Sequence, residues 1–240
     1  MLVAEKSYAD NVQAVTDAAK KTLDSLLWNE ITVGIFLSGG IDSSILLYLF
    51  LQDGFEFSIF SMGNSLDHPD IQHSSRLCRE LDQTQHILIP GKEDITRAKR
   101  ITGEVNKGDA GCYLLLEFAS RFVDTIIATD GIDELMGGYW DHLCPDGSLN
   151  LEAFERYQTD LWPKHIEPMI SSAGKIGINV KYLYLEEPFH SVVSEISLQE
   201  RIAGGRKGLW RDLGRRLGVP QYIINRPKVG FCDAVYYEAK

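Results

Sequence analysis

Ser38, Gly39 and Gly40, followed at once by Asp42, Ser43 and Ser44, put two side-chain-free residues, three hydroxyls and one carboxylate within seven positions. The set suits a phosphate or pyrophosphate. Glycines let the backbone close on an anion, and hydroxyls together with free N–H groups donate to its oxygens. Asp42 is the odd member, because a carboxylate beside a polyphosphate repels it unless a divalent cation such as Mg2+ lies between them. The bland alternative is a strand-to-helix turn in which Asp42 caps the helix, since short glycine motifs match by chance. Neither GxxxxGK[ST] nor GxGxxG follows this strand. A second group of chemically able residues, Asp130, Asp133 and Glu134, lies in TIIATDGIDELMGGY among the glycines Gly131, Gly137 and Gly138. Two of these carboxylates could complete the oxygen shell of a magnesium ion shared with Asp42; otherwise they are acids enriched at a helix N-terminus. A third group is basic. From Arg201 to Lys228 there are eight lysines and arginines against one acid, Asp212. That asymmetry favours an anionic ligand, although a solvated basic helix has the same composition.

The elements around these residues must bring them together. ITVGIFL, residues 31–37, is an apolar run that fits a strand buried on both faces, and Ile45 to Leu49 continue as a buried helix. Residues 8–28 carry Val12, Val15, Ala19, Leu23, Leu26 and Leu27 at helical spacing. FEFSIFSM, HILI and TIIA read as further strands, separated by helical stretches after Pro69, over 92–104 and through CYLLLEFASRFV. Strands alternating with helices imply right-handed crossovers and an α/β doubly wound parallel sheet of about five strands. In such sheets ligands bind beyond the carboxyl ends of the strands, so the segments after Leu37 and Met62 should share one crevice with the carboxylates after TIIA. Residues 141–205 read as helices without intervening strands, one of them ending at Gly174. This gives a nucleotide-binding core over 1–140 and a mainly helical part over 141–240 that completes the site.

SGGIDSS is similar to the SGGxDS loop of the N-type ATP pyrophosphatases, and GIDELMGGY to the GxDELFGGY segment of the asparagine synthetase family. Pro227-Lys228-Val229-Gly230-Phe231, with Asp233 and Tyr236, resembles that family's KxxFxDxVxY segment. The chain is thereby identified as a member of the asparagine synthetase family, with the adenine nucleotide alpha hydrolase-like fold. The resemblance implies ATP and Mg2+ as cofactors, with Asp42 and Asp133 as magnesium ligands. It further implies that Ser38, Gly39, Gly40, Ser43 and Ser44 surround the pyrophosphate. Backbone groups of Leu37, Phe60 and Met62 would contact adenine, and those near Thr129 and Gly131 would line the nucleotide site. Asp130 would bind or deprotonate the nucleophile, and Lys228 would reach the α-phosphate. Lys175 stands roughly where relatives carry a pyrophosphate-contacting lysine, and Pro188-Phe189-His190-Ser191 departs from the family's PFLD. The implied reaction is AMP-forming adenylation of a carboxylate, with aspartate the first guess, followed by amide formation with ammonia or another amine. The alternatives are a β-lactam-synthetase-like or other small-molecule amide ligase, and a tRNA-modifying ATP pyrophosphatase.

Composition bounds the partners. A formal charge of −10 argues against general nucleic-acid or anionic-membrane binding. No apolar run reaches the length of a membrane span, and MLVAEKSYAD lacks the plan of a signal peptide, so a cytoplasmic location is expected. The four cysteines include no CxxC pair, which gives neither a disulfide framework nor a zinc site. The start at Met-Leu offers no N-terminal cysteine nucleophile, so nitrogen is expected from free ammonia, a separate glutaminase subunit or another amine. A homodimer is one assembly open to such a chain.

Overall fold

The apolar run at 31–37 forms β1, Val33–Phe36, and the two strands on either side of it are, like it, buried on both faces. A computed structural model of the protein describes residues 7–103, 106 and 108–227. Among these residues β2 (Ser58–Met62), β3 (Gln85–Leu88), β4 (Thr125–Ala128) and β5 (Asn179–Tyr182) join β1 in one parallel sheet, ordered β3-β2-β1-β4-β5. The chain builds outward from β1 through β2 to β3, then returns to β1's other side for β4. The carboxyl ends of β1 and β4 therefore form the switch point at which such sheets bind ligands.

Among the described residues eight helices of some length and four short ones cover the sheet. In chain order they are α1 (Tyr8–Leu27), α2 (Ile41–Asp53), α3 (Pro69–Glu80), α4 (Lys92–Thr102), α5 (Asp109–Ala119), α6 (Ile132–Met136), α7 (Leu151–Leu161), α8 (Glu167–Ile176), α9 (Phe189–Ser194), α10 (Leu198–Arg201), α11 (Gly208–Leu217) and α12 (Gln221–Ile224). Successive strand residues point to opposite faces, and the core divides accordingly. Ile35, Leu37, Ile59 and Ile127 enter a core shared with α1, α2, α9 and α11. Phe60, Met62, Ile126 and Ala128 enter one shared with α4, α5 and α8. α1 begins on a reciprocal cap, in which Asp10 N donates to Ser7 Oγ and Ser7 N donates to the Asp10 carboxylate.

Two expectations for the second half are corrected. Residues 141–205 are not helices alone, because β5 pairs with β4 at the sheet edge. Its four residues, Asn-Val-Lys-Tyr, are too short and too polar to signal a strand; the exposed edge of β4 makes them one. The helix expected to end at Gly174 runs on to Ile176, where Gly177 takes the left-handed C-cap and its N–H donates to Ala173 O. Among the described residues no helix is long and apolar enough to cross a membrane.

Candidate active site

The loop between β1 and α2 has the geometry its sequence suggests. Gly39 adopts φ 68°, and a Cβ there would press on the backbone of His73 and Ser74, so glycine is required twice over. Gly40 caps α2 with no side-chain hydrogen bond, leaving the helix N-terminus open. The loop's polar groups meanwhile satisfy one another at the long end of the range. Ser38 N donates to Ser43 Oγ at 3.2 Å, Gly40 N donates to Ser38 Oγ at 3.2 Å, and Ser43 Oγ donates to Gly40 O at 3.3 Å. An anion with stronger acceptors can take over such donors with little loss.

Asp42 does not point into the pocket. It turns instead toward Lys207, whose Nζ lies 2.7 Å from both Asp42 carboxylate oxygens and 2.7 Å from Asp133 Oδ1. Trp210 Nε1 also donates to Asp42 Oδ1, at 3.1 Å. Lys207 is 5% exposed and precedes α11 at φ 54°, an uncommon conformation for lysine, with its N–H donated to Met136 O. The ammonium's path runs over Gly138, where any Cβ would overlap Asp133 Oδ1 and Lys207 Cε. Burial alone would lower the lysine's pKa, but Asp133 and Asp42 outweigh it and hold the ammonium charged. The two carboxylates expected to share a cation thus converge on a single cation supplied by the chain itself. Sequence reading missed Lys207; its only signal was membership of the basic stretch 201–228.

Beside this pair opens a cavity of about 510 Å³ at the carboxyl ends of β1, β2 and β4. Leu37, Ser38, Ser43, Phe60, Met62, Thr129, Asp130 and Asp133 of the expected set line it. Gly39, Gly40, Asp42, Ser44 and Gly131 do not line it: Ser44 is fully buried within α2, and a Cβ on Gly131 would meet Leu185. Burial pushes the Asp130 carboxyl up to about 6, and the charge of His165 opposes that rise. Glu134 is 3% exposed and accepts from Tyr139 Oη at 2.7 Å, and its pKa is also raised, chiefly by desolvation. Tyr139 stacks on Tyr157 with ring centroids 3.9 Å apart, which fixes the wall after α6.

Most of the basic stretch serves the protein itself. Arg201 donates to the carbonyls of Leu135, Ser194 and Ile196, Arg206 to Gly138 O, and Arg211 to Arg206 O and Ile224 O. Arg226 forms an ion pair with Asp70 and donates to Ser38 O at 2.7 Å, tying the end of the described chain to the loop between β1 and α2. Lys228 lies outside the described residues. Lys175 sits at the end of α8 with Nζ donating to Ile101 O at 2.9 Å and does not line the cavity, so its expected pyrophosphate contact is not supported by its position.

A glycine loop, an open helix N-terminus and convergent carboxylates meet at the switch point of a doubly wound parallel α/β sheet, where such folds bind ligands. The chain belongs to the asparagine synthase family, which it matches over residues 14–167. It is 25% identical over 158 residues to the glutamine-hydrolyzing asparagine synthetase 1 of Bacillus subtilis (strain 168), covering 62% of this chain and 24% of that protein. It is 26% identical over 127 residues to a tRNA-specific 2-thiouridylase of Fervidobacterium nodosum, covering 45% of this chain and 36% of that one. The chain thus spans between about a quarter and about a third of the length of these curated relatives. In fold it is similar to the NMN synthetase of Francisella tularensis, with a TM-score of 0.52 and 16% identity over 95% of this chain and 78% of that one.

Proposed function

We propose that the chain is an ATP-dependent, AMP-forming ligase of the asparagine synthetase type. It adenylates a substrate carboxylate with release of pyrophosphate, and an amine or ammonia then forms the amide. The observation that carries this reading is the meeting of Asp42 and Asp133, from the first turns of α2 and α6 and 91 positions apart in the sequence, on one buried cation beside the SGGIDSS loop. Two carboxylates suit Mg2+, which binds through one or two of them and takes its other ligands from phosphate oxygens and water. Magnesium, when bound, would neutralise the phosphates; the loop serines and amides would orient them, and Asp130 would take the proton of the attacking nucleophile. Lys228 is the proposed donor to the α-phosphate.

The test is pyrophosphate release from ATP and Mg2+, screened across amino-acid carboxylates with and without ammonium. Lys228→Ala should lose at least about a hundredfold in rate, the cost of one transition-state donor. Aspartate-dependent release that yields AMP, and asparagine only with ammonium, would fix the acceptor as well as the chemistry. If ATP binds and no carboxylate triggers release, the ligase reading fails.

Asp130 gives a pH signature. A base must be ionised to act, and this carboxyl is raised to about 6, so kcat/KM for amide formation, referred to the concentration of unprotonated amine, should climb as pH rises through about 6 and then level. Asp130→Asn should remove that limb together with most of the activity. A profile flat from pH 5 to 8 in the unmodified protein would exclude Asp130 as the base. The nitrogen source in this reading is free ammonia, a separate glutaminase subunit or another amine, and the compartment is the cytoplasm.

A further inference from the structure

The helix pair α7 and α8 is joined by one π-helical turn, Trp162–Ile166, in which Glu167 N donates to Trp162 O. The sequence WPKHIEP explains it. Pro163 and Pro168 carry no N–H, so the α-helical ladder cannot run through this stretch, and one residue is accommodated by widening the turn. Pro168 leaves Lys164 O without its usual i+4 donor, and Asn106 Nδ2, from the segment leading into α5, donates to that carbonyl at 2.9 Å. The turn is therefore clasped across the mouth of the cavity, and Lys164, His165 and Pro168 become part of its wall.

The far end of this cavity is strongly acidic. Asp109, 7% exposed, and Asp130 line it, with Asp133 beside them and Glu134 close enough for its charge to be felt. A carboxylate substrate entering this space is repelled unless a donor meets it. Among the described lining residues two side chains, Lys164 and His165, can meet it with a positive charge. The Lys164 ammonium already lies 2.7 Å from the Asp160 carboxylate. His165 is the second, exposed at the rim, with no hydrogen-bond or ion-pair partner among the described residues. It lines the same cavity as Asp130, the proposed base. An imidazole N–H donates in either protonation state.

We propose that His165, presented by the π turn and clasped by Asn106, is the acceptor-side specificity residue, its ring N–H seating an anionic oxygen of the carboxylate substrate opposite Asp130. The inference rests on the ligase reading of this site. In its terms the acceptor's carboxylate end lies between the π turn and the loop after β4, while ATP lies against the loop after β1.

Two measurements test it. In the pyrophosphate-release assay with L-aspartate as probe, His165→Phe keeps the ring and removes the N–H. It should raise the KM for aspartate at least tenfold, with the KM for ATP unchanged and kcat within about threefold, and His165→Gln, which retains a donor, should recover part of that affinity. Equal losses for ATP and aspartate, or no change in either KM, would overturn the proposal. The second measurement needs no turnover. With a non-hydrolysable ATP analogue and Mg2+ present, the His165 ring resonance is followed by NMR during titration with aspartate and then succinate. A saturable shift supports the seat even if no acceptor is turned over and the ligase reading itself falls. A ring signal unmoved by either probe overturns it.

Discussion

Replacing Lys207 by methionine should lower the thermal midpoint of the metal-free protein, and Mg2+ should then stabilise the variant much more than the parent. The substitution keeps the stem that passes over Gly138 and removes the ammonium between Asp42 and Asp133. Breaking a buried pair costs about 3–5 kcal/mol, and the low end applies because the two carboxylate side chains keep 22% and 16% of their exposure. At about 2–4 °C per kcal/mol for a chain of this size, the midpoint falls by about 6–12 °C. Mg2+ at a hundredfold its dissociation constant returns about 2.7 kcal/mol, nearly the whole loss. In the parent the ion must first displace an ammonium already held at 2.7 Å by three carboxylate oxygens, so its effect there is small. Calorimetric scans in chelator and in excess Mg2+ provide the check. A variant as stable as the parent in chelator, or one indifferent to Mg2+, would show that the two carboxylates do not form a cation seat.

The second large effect is expected at Arg226. Both its side chain and that of Asp70 are 5% exposed, so Arg226→Met breaks a buried ion pair and should cost about 3–5 kcal/mol. Adding Asp70→Asn removes the buried negative charge as well and should recover part of the loss, which equilibrium denaturation of the parent and the three variants of the cycle would measure. Arg226 also donates to Ser38 O, and it fixes the chain two residues before Lys228. If Lys228 acts on the phosphates gathered by the Ser38 loop, loosening this tie misplaces it and pyrophosphate release should fall about a hundredfold, even at temperatures where the variant is fully folded. A loss of stability with the rate intact would make the Arg226–Asp70 pair structural only.

The strands β1, β2 and β4 were legible because a strand buried on both faces has to be apolar throughout, and no neighbour is needed to reveal that. The SGGIDSS turn was legible for a related reason: its glycines and hydroxyls are local requirements of backbone and anion, met within seven residues. β5 was not legible, since Asn179 to Tyr182 becomes a strand only by pairing with the edge of β4. Nor was the use of the basic stretch. Its charge excess suggested an anionic ligand, yet Arg201, Arg206 and Arg211 bond backbone carbonyls, and Arg226 bonds Ser38 O and pairs with Asp70. Charge composition records sign but not distance, so it cannot tell an internal partner from an external one.

The sequence by itself determined the parallel α/β class, the phosphate-type loop, the carboxylates after β4 and membership of the family, because each is written in a short contiguous segment. Only the tertiary structure decided that Asp42 turns from the cavity to meet Lys207, 165 positions away. Only it decided that the π turn at Trp162–Ile166 sets His165 at the rim of the acid-lined end. Both depend on where helices after residue 140 pack against the sheet, and that packing is settled by the fit of many buried side chains at once.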